Sequence, residues 1–156
     1  MSERLTHLDD SGQVHMVDVA AKDVTVRTAT AEAHVTMTDA TKGLLFGGDL
    51  PKGDALAVAR VAAITATKRT SDLIPLCHPL AISGVDADIE ETPRGARVVV
   101  TVRVTGKTGV EMEAMTGASV GALTLYDMIK GVERGAVIDN VQLVHKAGGK
   151  SGEFVR

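Results

Sequence analysis

The chain carries only three aromatic side chains, Phe46, Tyr126 and Phe154, in 156 residues. Without large rings the core must be filled by Ala, Val, Leu and Ile, and small side chains let helices lie close to a sheet. The same scarcity leaves little for bases to stack on, which argues against a nucleic-acid binder. A net charge of −3 also supplies no field that would draw the chain to nucleic acid or a membrane surface. With 44% hydrophobic and 24% charged residues, the composition is that of a globular chain. At this length a single domain over residues 1–156 is expected, burying roughly 68–70% of its unfolded surface. The lone cysteine, Cys77, excludes an internal disulfide and fits a reducing compartment. No apolar run nears the ~20 residues of a membrane span, and the opening MSERLTHLDD lacks signal-peptide features, so a cytoplasmic protein is expected.

Residues 1–13 are polar and read as a loosely held arm, with a short strand at Val14–Val19. Alternation runs from Val24 to Met37, and its parity changes near Thr30, which hints at a bulge. A short helix is expected over Thr38–Phe46, ended by Gly47-Gly48. Asp54 is placed to cap a helix running to about Arg69, with six alanines between Ala55 and Ala66. Two strands, Leu80–Glu90 and Ala96–Thr105, flank the turn signal Pro93-Arg94-Gly95. A long helix from Glu111 to about Val132 and a strand over Ala136–Val144 follow, then a Gly- and Lys-rich mobile tail at 146–156. The major elements spell βαββαβ, an α+β ferredoxin-like split βαβ arrangement with both helices on one face of an antiparallel sheet. The strands alternate with apolar residues, so the free sheet face is expected to be covered by another subunit.

Several residue groups carry possible chemistry. Lys68–Leu80 places Cys77 and His78 in a loop bracketed by Pro75 and Pro79, whose fixed φ angles stiffen it. Cys77 beside His78 is not thereby a nucleophile–base pair, because adjacent side chains point apart and a lone cysteine is usually an inert buried thiol. Gly106-Lys107-Thr108 and Gly149-Lys150-Ser151 resemble the end of a P-loop, but the earlier glycine is replaced by Thr101 and Val144. They remain loops able to hold an anion. His7, His15, His34, His78 and His145 lack zinc-ligand spacing, and no metal is expected. Gly117 and Gly121 point to close helix packing. Asp127 and Lys130 share a helix face, and Glu113 projects to a similar side fourteen residues earlier. Two readings stand for the Asp127–Lys130 pair: a solvated ion pair, or an acid/base couple at the mouth of a pocket. Glu111 and Glu113 suit a helix dipole, or could accept hydrogen bonds from the N–H groups of a purine-like base. Lys52 is either a surface lysine or a cation aimed at phosphate beside a helix start. Arg27, Lys68, Lys146 and Lys150 would add positive charge where they converge.

The blocks KRTSDLIPLCHPL (68–80), GKTGVEMEAMTGASVGALTLYDMIK (106–130) and GKSGEF (149–154) closely resemble the cyclic pyranopterin monophosphate synthase family, also called molybdenum cofactor biosynthesis protein C. HMVDV (15–19) and Lys52-Gly53-Asp54 are similar too, so the resemblance covers nearly the whole chain. It implies a ferredoxin-like subunit in a hexamer, a trimer of dimers with active sites at subunit interfaces. The implied activity is that of a lyase that rearranges (8S)-3′,8-cyclo-7,8-dihydroguanosine 5′-triphosphate into cyclic pyranopterin monophosphate and releases pyrophosphate. No cofactor is implied, beyond Mg²⁺ that could accompany the substrate phosphates.

By the same resemblance, Asp127 matches the catalytic acid/base, Lys130 its partner and Lys52 a further catalytic lysine. Leu76, Cys77 and His78 match one substrate-binding block, and Met112 and Glu113 another. Arg27, Glu111, Lys68 and Lys146 match polar pocket positions. Gly121 stands where the family pattern leads one to expect alanine, a change expected to loosen the helix by at most about 1 kcal/mol. A non-catalytic purine-nucleotide-binding regulatory domain of the same fold is the alternative, and a purely structural oligomer a third reading.

Overall fold

The computed structural model describes Leu8, Asp9 and residues 11–156. A five-stranded antiparallel sheet has the order β2-β3-β1-β4-β5, formed by β1 (Thr25–Thr36), β2 (Gly84–Thr92), β3 (Gly95–Gly106), β4 (Val137–Ala147) and β5 (Phe154–Val155). Between them lie α1 (Asp39–Gly47), α2 (Ala55–Thr67), α3 (Thr70–Leu73) and α4 (Glu111–Ile129). The first four strands with α2 and α4 are the βαββαβ ferredoxin-like core. The one-turn α3 and the edge strand β5 were not foreseen. β5 pairs Phe154 with Lys146 and Val155 with His145, so the end of the Gly/Lys-rich tail folds back on β4.

Local chemistry starts and stops these elements where expected. The Asp54 carboxylate accepts from the N–H of Ala57 at 3.0 Å and caps α2. Thr38 caps α1, and Gly48, with φ of 79°, ends it. In the β2–β3 hairpin Gly95 has φ of 147°, and a Cβ there would lie 2.1 Å from the carbonyl oxygen of Val35. Only glycine fits that turn.

Three expectations need correction. No strand forms over Val14–Val19; only Val14 makes a bridge, with Leu8, in a turn organised by the Asp9 carboxylate. Of the expected arm, residues 1–7 and 10 lie outside the described residues. The irregularity near Thr30 is real but belongs to β4. β1 pairs with β3 without interruption, whereas its register with β4 shifts between Thr30 and Ala31 and again between Glu32 and His34. The extra residues lie on β4, where Asn140 takes φ of 49°. Third, the free face of the sheet is not apolar. Residues alternating with the buried Ala31, Ala33 and Val35 are Thr30, Glu32, His34 and Thr36. Glu32 accepts from Gln142 at 2.7 Å and from Nε of Arg97 at 2.6 Å, and Arg97 continues to Glu90 at 2.8 Å. Burial would raise the Glu32 carboxyl, but hydrogen bonds from Gln142, Arg97 and His34 outweigh it and hold the group below its usual range.

The core lies between the other sheet face and α2 and α4. It is built as the aromatic scarcity demands, from Ala29, Ala31, Ala33 and Val98, Val100, Val102 of the sheet against Ala59, Ala63, Ala118 and Ala122 of the helices. The helices approach closely through Gly117 and Gly121. A Cβ on Gly117 would lie 2.5 Å from Thr67 Oγ1, 3.0 Å from a Val100 methyl and 3.2 Å from the Ala63 carbonyl oxygen. One on Gly121 would lie 2.9 Å from a Val98 methyl and 3.3 Å from the Ala63 Cβ. Gly121 is therefore more than a loss of helix propensity, since the empty position admits Val98. The Thr67 hydroxyl reaches the carbonyls of Ala63 at 3.0 Å and Glu113 at 3.3 Å, tying α2 to α4. Gly117→Ala should push it aside and, despite better helix propensity, lower stability by about 1–2 kcal/mol. A urea midpoint equal to or above the parent's would refute this packing account.

Candidate active site

The register places the starts of β1 and α4 and the ends of β3 and β4 at one end of the sheet. A cavity of about 420 Å³ opens there, lined by Leu76, Cys77, His78, Met112, Glu113 and the segment around Val17. The loop before it is stiff for the anticipated reason: Ile74 is extended ahead of Pro75, with φ −108° and ψ 110°. The N–H of Cys77 then turns back to the Ile74 carbonyl at 3.1 Å. Nε2 of His78 donates to the carbonyl of Val17 at 2.8 Å. Burial, then the Glu113 carboxylate, pushes the Cys77 thiol up, so Cys77 is a wall of the cavity and a poor nucleophile.

Glu113 is 4% exposed on the first turn of α4. Burial raises its carboxyl, its own backbone N–H opposes the rise, and the neighbouring Glu111 adds to it. Glu111 pairs with Lys146 of β4 at 3.3 Å, and Lys146 also donates to the Ser151 hydroxyl. Lys68, just past α2, shares a small recess with His78 and Glu113. A second cavity of about 360 Å³ is adjacent, lined by Arg27, Lys22, Thr25, Gly149, Lys150 and other residues of the same loops. Arg27 is fixed by its Nε–H, which donates to the Gly106 carbonyl at 3.1 Å. Gly149 has φ of 78°, and a Cβ there would sit 2.2 Å from Arg27 Nη1, so the glycine admits the guanidinium. Of the two Gly-Lys loops, the second lines this cavity. Lys107 of the first is engaged elsewhere, donating to the Ala20 carbonyl at 2.6 Å.

Asp127, Lys130 and Lys52 meet at the opposite end of α4. The Asp127 carboxylate touches Lys130 Nζ at 2.7 Å and Lys52 Nζ at 3.2 Å, and Lys52 also donates to the Asp127 carbonyl at 2.7 Å. Hydrogen bonds from Lys130 and then Lys52 hold the Asp127 carboxyl below its ordinary range, and Asp127 raises Lys130 in turn. Two expectations change. The pair is not partly desolvated at a pocket mouth: the Asp127 and Lys130 side chains are 54% and 50% exposed, outside both cavities just described. Nor does Glu113 share their side. Fourteen residues leave it about 21 Å away along the helix and turned into the protein. Lys52, standing just before α2 as expected, leans on Asp127.

The structure thus gathers Leu76, Cys77, His78, Met112, Glu111, Glu113, Lys68, Arg27 and Lys146 at one end and Asp127, Lys130 and Lys52 at the other. Sequence reasoning missed the covering segment Val17–Lys22 as a cavity wall. Its apolar alternation pointed to a strand; the resemblance of HMVDV to a family block was the usable signal. Among the described residues, no three or more His, Cys, Asp or Glu come together as a metal-holding group, and no helix is long and apolar enough to cross a membrane.

Fold and cavities define an α+β protein of ferredoxin-like topology, with a carboxylate- and cation-lined cleft at one end and a lysine-flanked carboxylate at the other. Residues 16–149 match the MoaC family. The chain is 58% identical over 152 residues to a cyclic pyranopterin monophosphate synthase of Herpetosiphon aurantiacus, covering 96% of this chain and 93% of that one. It is 53% identical over 154 residues to the protein of the same name in Streptomyces coelicolor, covering 99% and 91%. A third, from Parvibaculum lavamentivorans, is 54% identical over 155 residues, covering 98% and 97%. The chain belongs to the MoaC family.

The raised Glu113 carboxyl has a consequence for stability. A carboxylic acid whose folded pKa exceeds its unfolded value binds its proton more tightly when folded, so stability falls as pH rises from the unfolded value through the folded one. Glu113→Gln removes that buried charge. It should raise Tm at pH 7 by about 2–4 °C, for a change on the order of 1 kcal/mol, and flatten the pH dependence above about pH 4.5. Thermal unfolding across pH checks this; a lower Tm at pH 7 would show the carboxylate to be well satisfied.

Proposed function

We propose that this chain is a cyclic pyranopterin monophosphate synthase of molybdenum cofactor biosynthesis: a cytoplasmic lyase converting the cyclised guanosine triphosphate to cyclic pyranopterin monophosphate with release of pyrophosphate. The relatives that share more than half of its residues over nearly its whole length carry that name. The observation that carries the chemistry is the Asp127 carboxylate held between Lys130 and Lys52. Opening a purine imidazole ring moves several protons, and expelling pyrophosphate needs cations. A carboxylate in contact with two ammonium groups can accept a proton and return one, while the lysines stabilise developing negative charge. Glu111 and Glu113 suit the N–H groups of the heterocycle, His78 and Met112 its edge and face, and Arg27, Lys68 and Lys146 the phosphates. No resident cofactor is assigned; Mg²⁺ would arrive with the substrate phosphates.

Two features favour a site completed by a second copy of the chain. The acid/base group and the cavity residues are separated by most of the length of α4, too far to act on one small molecule. In addition, the exposed pair is poorly tuned: a depressed Asp127 and a raised Lys130 are each further from neutral pH than efficient proton transfer prefers. Covering the pair with another subunit's cavity would raise the acid and lower the amine through desolvation. Exposed Leu123 on α4 and Val58 and Val61 on α2 supply apolar surface for such an association. A hexamer with sites between subunits meets both requirements.

Incubation of the purified protein with the cyclised substrate should yield pyrophosphate and a pterin. Asp127→Asn and Lys130→Ala should each lower turnover by about 10²-fold or more. Binding without pyrophosphate release would instead favour a nucleotide-binding regulatory domain, and near-normal turnover by both variants would remove their assigned roles. Co-refolding Asp127→Asn with His78→Ala subunits should restore about a quarter of the activity through mixed interfaces. Activity no higher than that of either variant alone would refute the shared site.

A further inference from the structure

The two cavities share a single lining residue, Lys22. It stands at the end of a segment that crosses the cleft and is tied down on the way. His78 holds the Val17 carbonyl at 2.8 Å, Lys107 holds that of Ala20 at 2.6 Å, and the N–H of Lys22 closes a turn on the Val19 carbonyl at 3.0 Å. The Asp18 carboxylate accepts from the N–H of Ala20 at 2.8 Å, and β1 begins at Thr25. The backbone of Lys22 is therefore fixed between two anchored points, and the residue lines both cavities. Among the described residues Lys146 is engaged by Glu111 and Ser151 and Lys107 by the Ala20 carbonyl, whereas Lys22, like Arg27 and Lys150 in the second cavity, forms no ion pair.

The first cavity offers carboxylates and apolar walls suited to a heterocycle, and the second offers Arg27, Lys150 and a glycine loop suited to an anion. A ligand with both parts must cross the wall that Lys22 forms. We propose that Lys22 binds the phosphate chain of the substrate at the junction of the two cavities, and that it holds the heterocycle and the phosphates in their separate cavities. This rests on the function proposed above for the same site. Lys22 takes no part in proton transfer, so its loss weakens binding of the ground state and transition state alike.

The test compares the parent with Lys22→Gln and Lys22→Arg, measuring kcat and KM for the cyclised substrate and the affinity for free tripolyphosphate by calorimetry. Lys22→Gln should raise KM and the tripolyphosphate Kd about tenfold or more, with kcat within about twofold of the parent. Lys22→Arg, which keeps the charge, should recover most of the loss. Unchanged KM and unchanged tripolyphosphate affinity in Lys22→Gln overturn the proposal, as does a fall in kcat with KM constant. A parent that binds tripolyphosphate through Lys22 yet turns over no cyclised substrate would overturn the proposed function and leave the phosphate site standing. Lys22 is exposed, so the variants should melt with the parent; a shared Tm certifies the comparison.

Discussion

The contact between α2 and α4 sets the geometry of everything else. With Gly117 and Gly121 on one helix and Ala59 and Ala63 on the other, the two axes come close enough for β3 methyls to reach between them. The Thr67 hydroxyl then joins carbonyls on both helices. A core of small side chains has little slack, because each methyl is already in contact and interiors of this density deform poorly. Helix α4 is thereby a rigid strut of 19 residues, about 28 Å long, with its direction fixed by the sheet below it. Chemistry placed at its two ends is held apart as firmly as the helix is held together.

Those two ends have opposite electrostatic characters. At the first turn Glu111 and Glu113 suit the positive end of the helix dipole, but burial, with Glu111 beside it, makes Glu113 a reluctant anion. At the last turn Asp127 stands where the dipole disfavours a carboxylate, and two lysines offset that cost. Burial at one end and two lysines at the other thus act against the helix polarity, moving the Glu113 carboxyl up and the Asp127 carboxyl down. Their environments push the two groups in opposite directions, the pattern by which acid and base roles are separated at one pH.

Much of this was legible in the residues. Asp54 gave the start of α2, Pro93-Arg94-Gly95 the hairpin and the spacing of Gly117 and Gly121 the helix contact, because each rests on local geometry or a short period. The sheet's outer face was misread because alternation alone does not distinguish an apolar second face from one of Thr30, Glu32, His34 and Thr36, whose partners come from distant strands. Val14–Val19 alternates like a strand but has no strand to pair with; its Val17 carbonyl goes to His78 and its Val19 carbonyl to the N–H of Lys22 instead. Helical spacing put Glu113 near Asp127, yet a residual rotation over fourteen residues is enough to turn one inward and leave the other exposed. The lysine contacts of Asp127 needed the loop at Lys52 to be folded against α4, a tertiary fact that no spacing records.

The polar outer face bears on how copies of the chain could meet. Its central groups are already paired within one subunit: Glu32 with Arg97, Gln142 and His34, Arg103 with Asp86, and Thr30 with Thr101. Burying such a network costs little if its hydrogen bonds survive, but it also brings little hydrophobic gain. The exposed apolar side chains lie elsewhere, at Val58 and Val61 on α2 and Leu123 on α4, one helical turn before Asp127. Hydrophobic association through that helical surface would therefore act beside the lysine-flanked carboxylate. On the function proposed above, the event that shields Leu123 from water would also desolvate Asp127, so association and the shift of that carboxyl would be energetically one step.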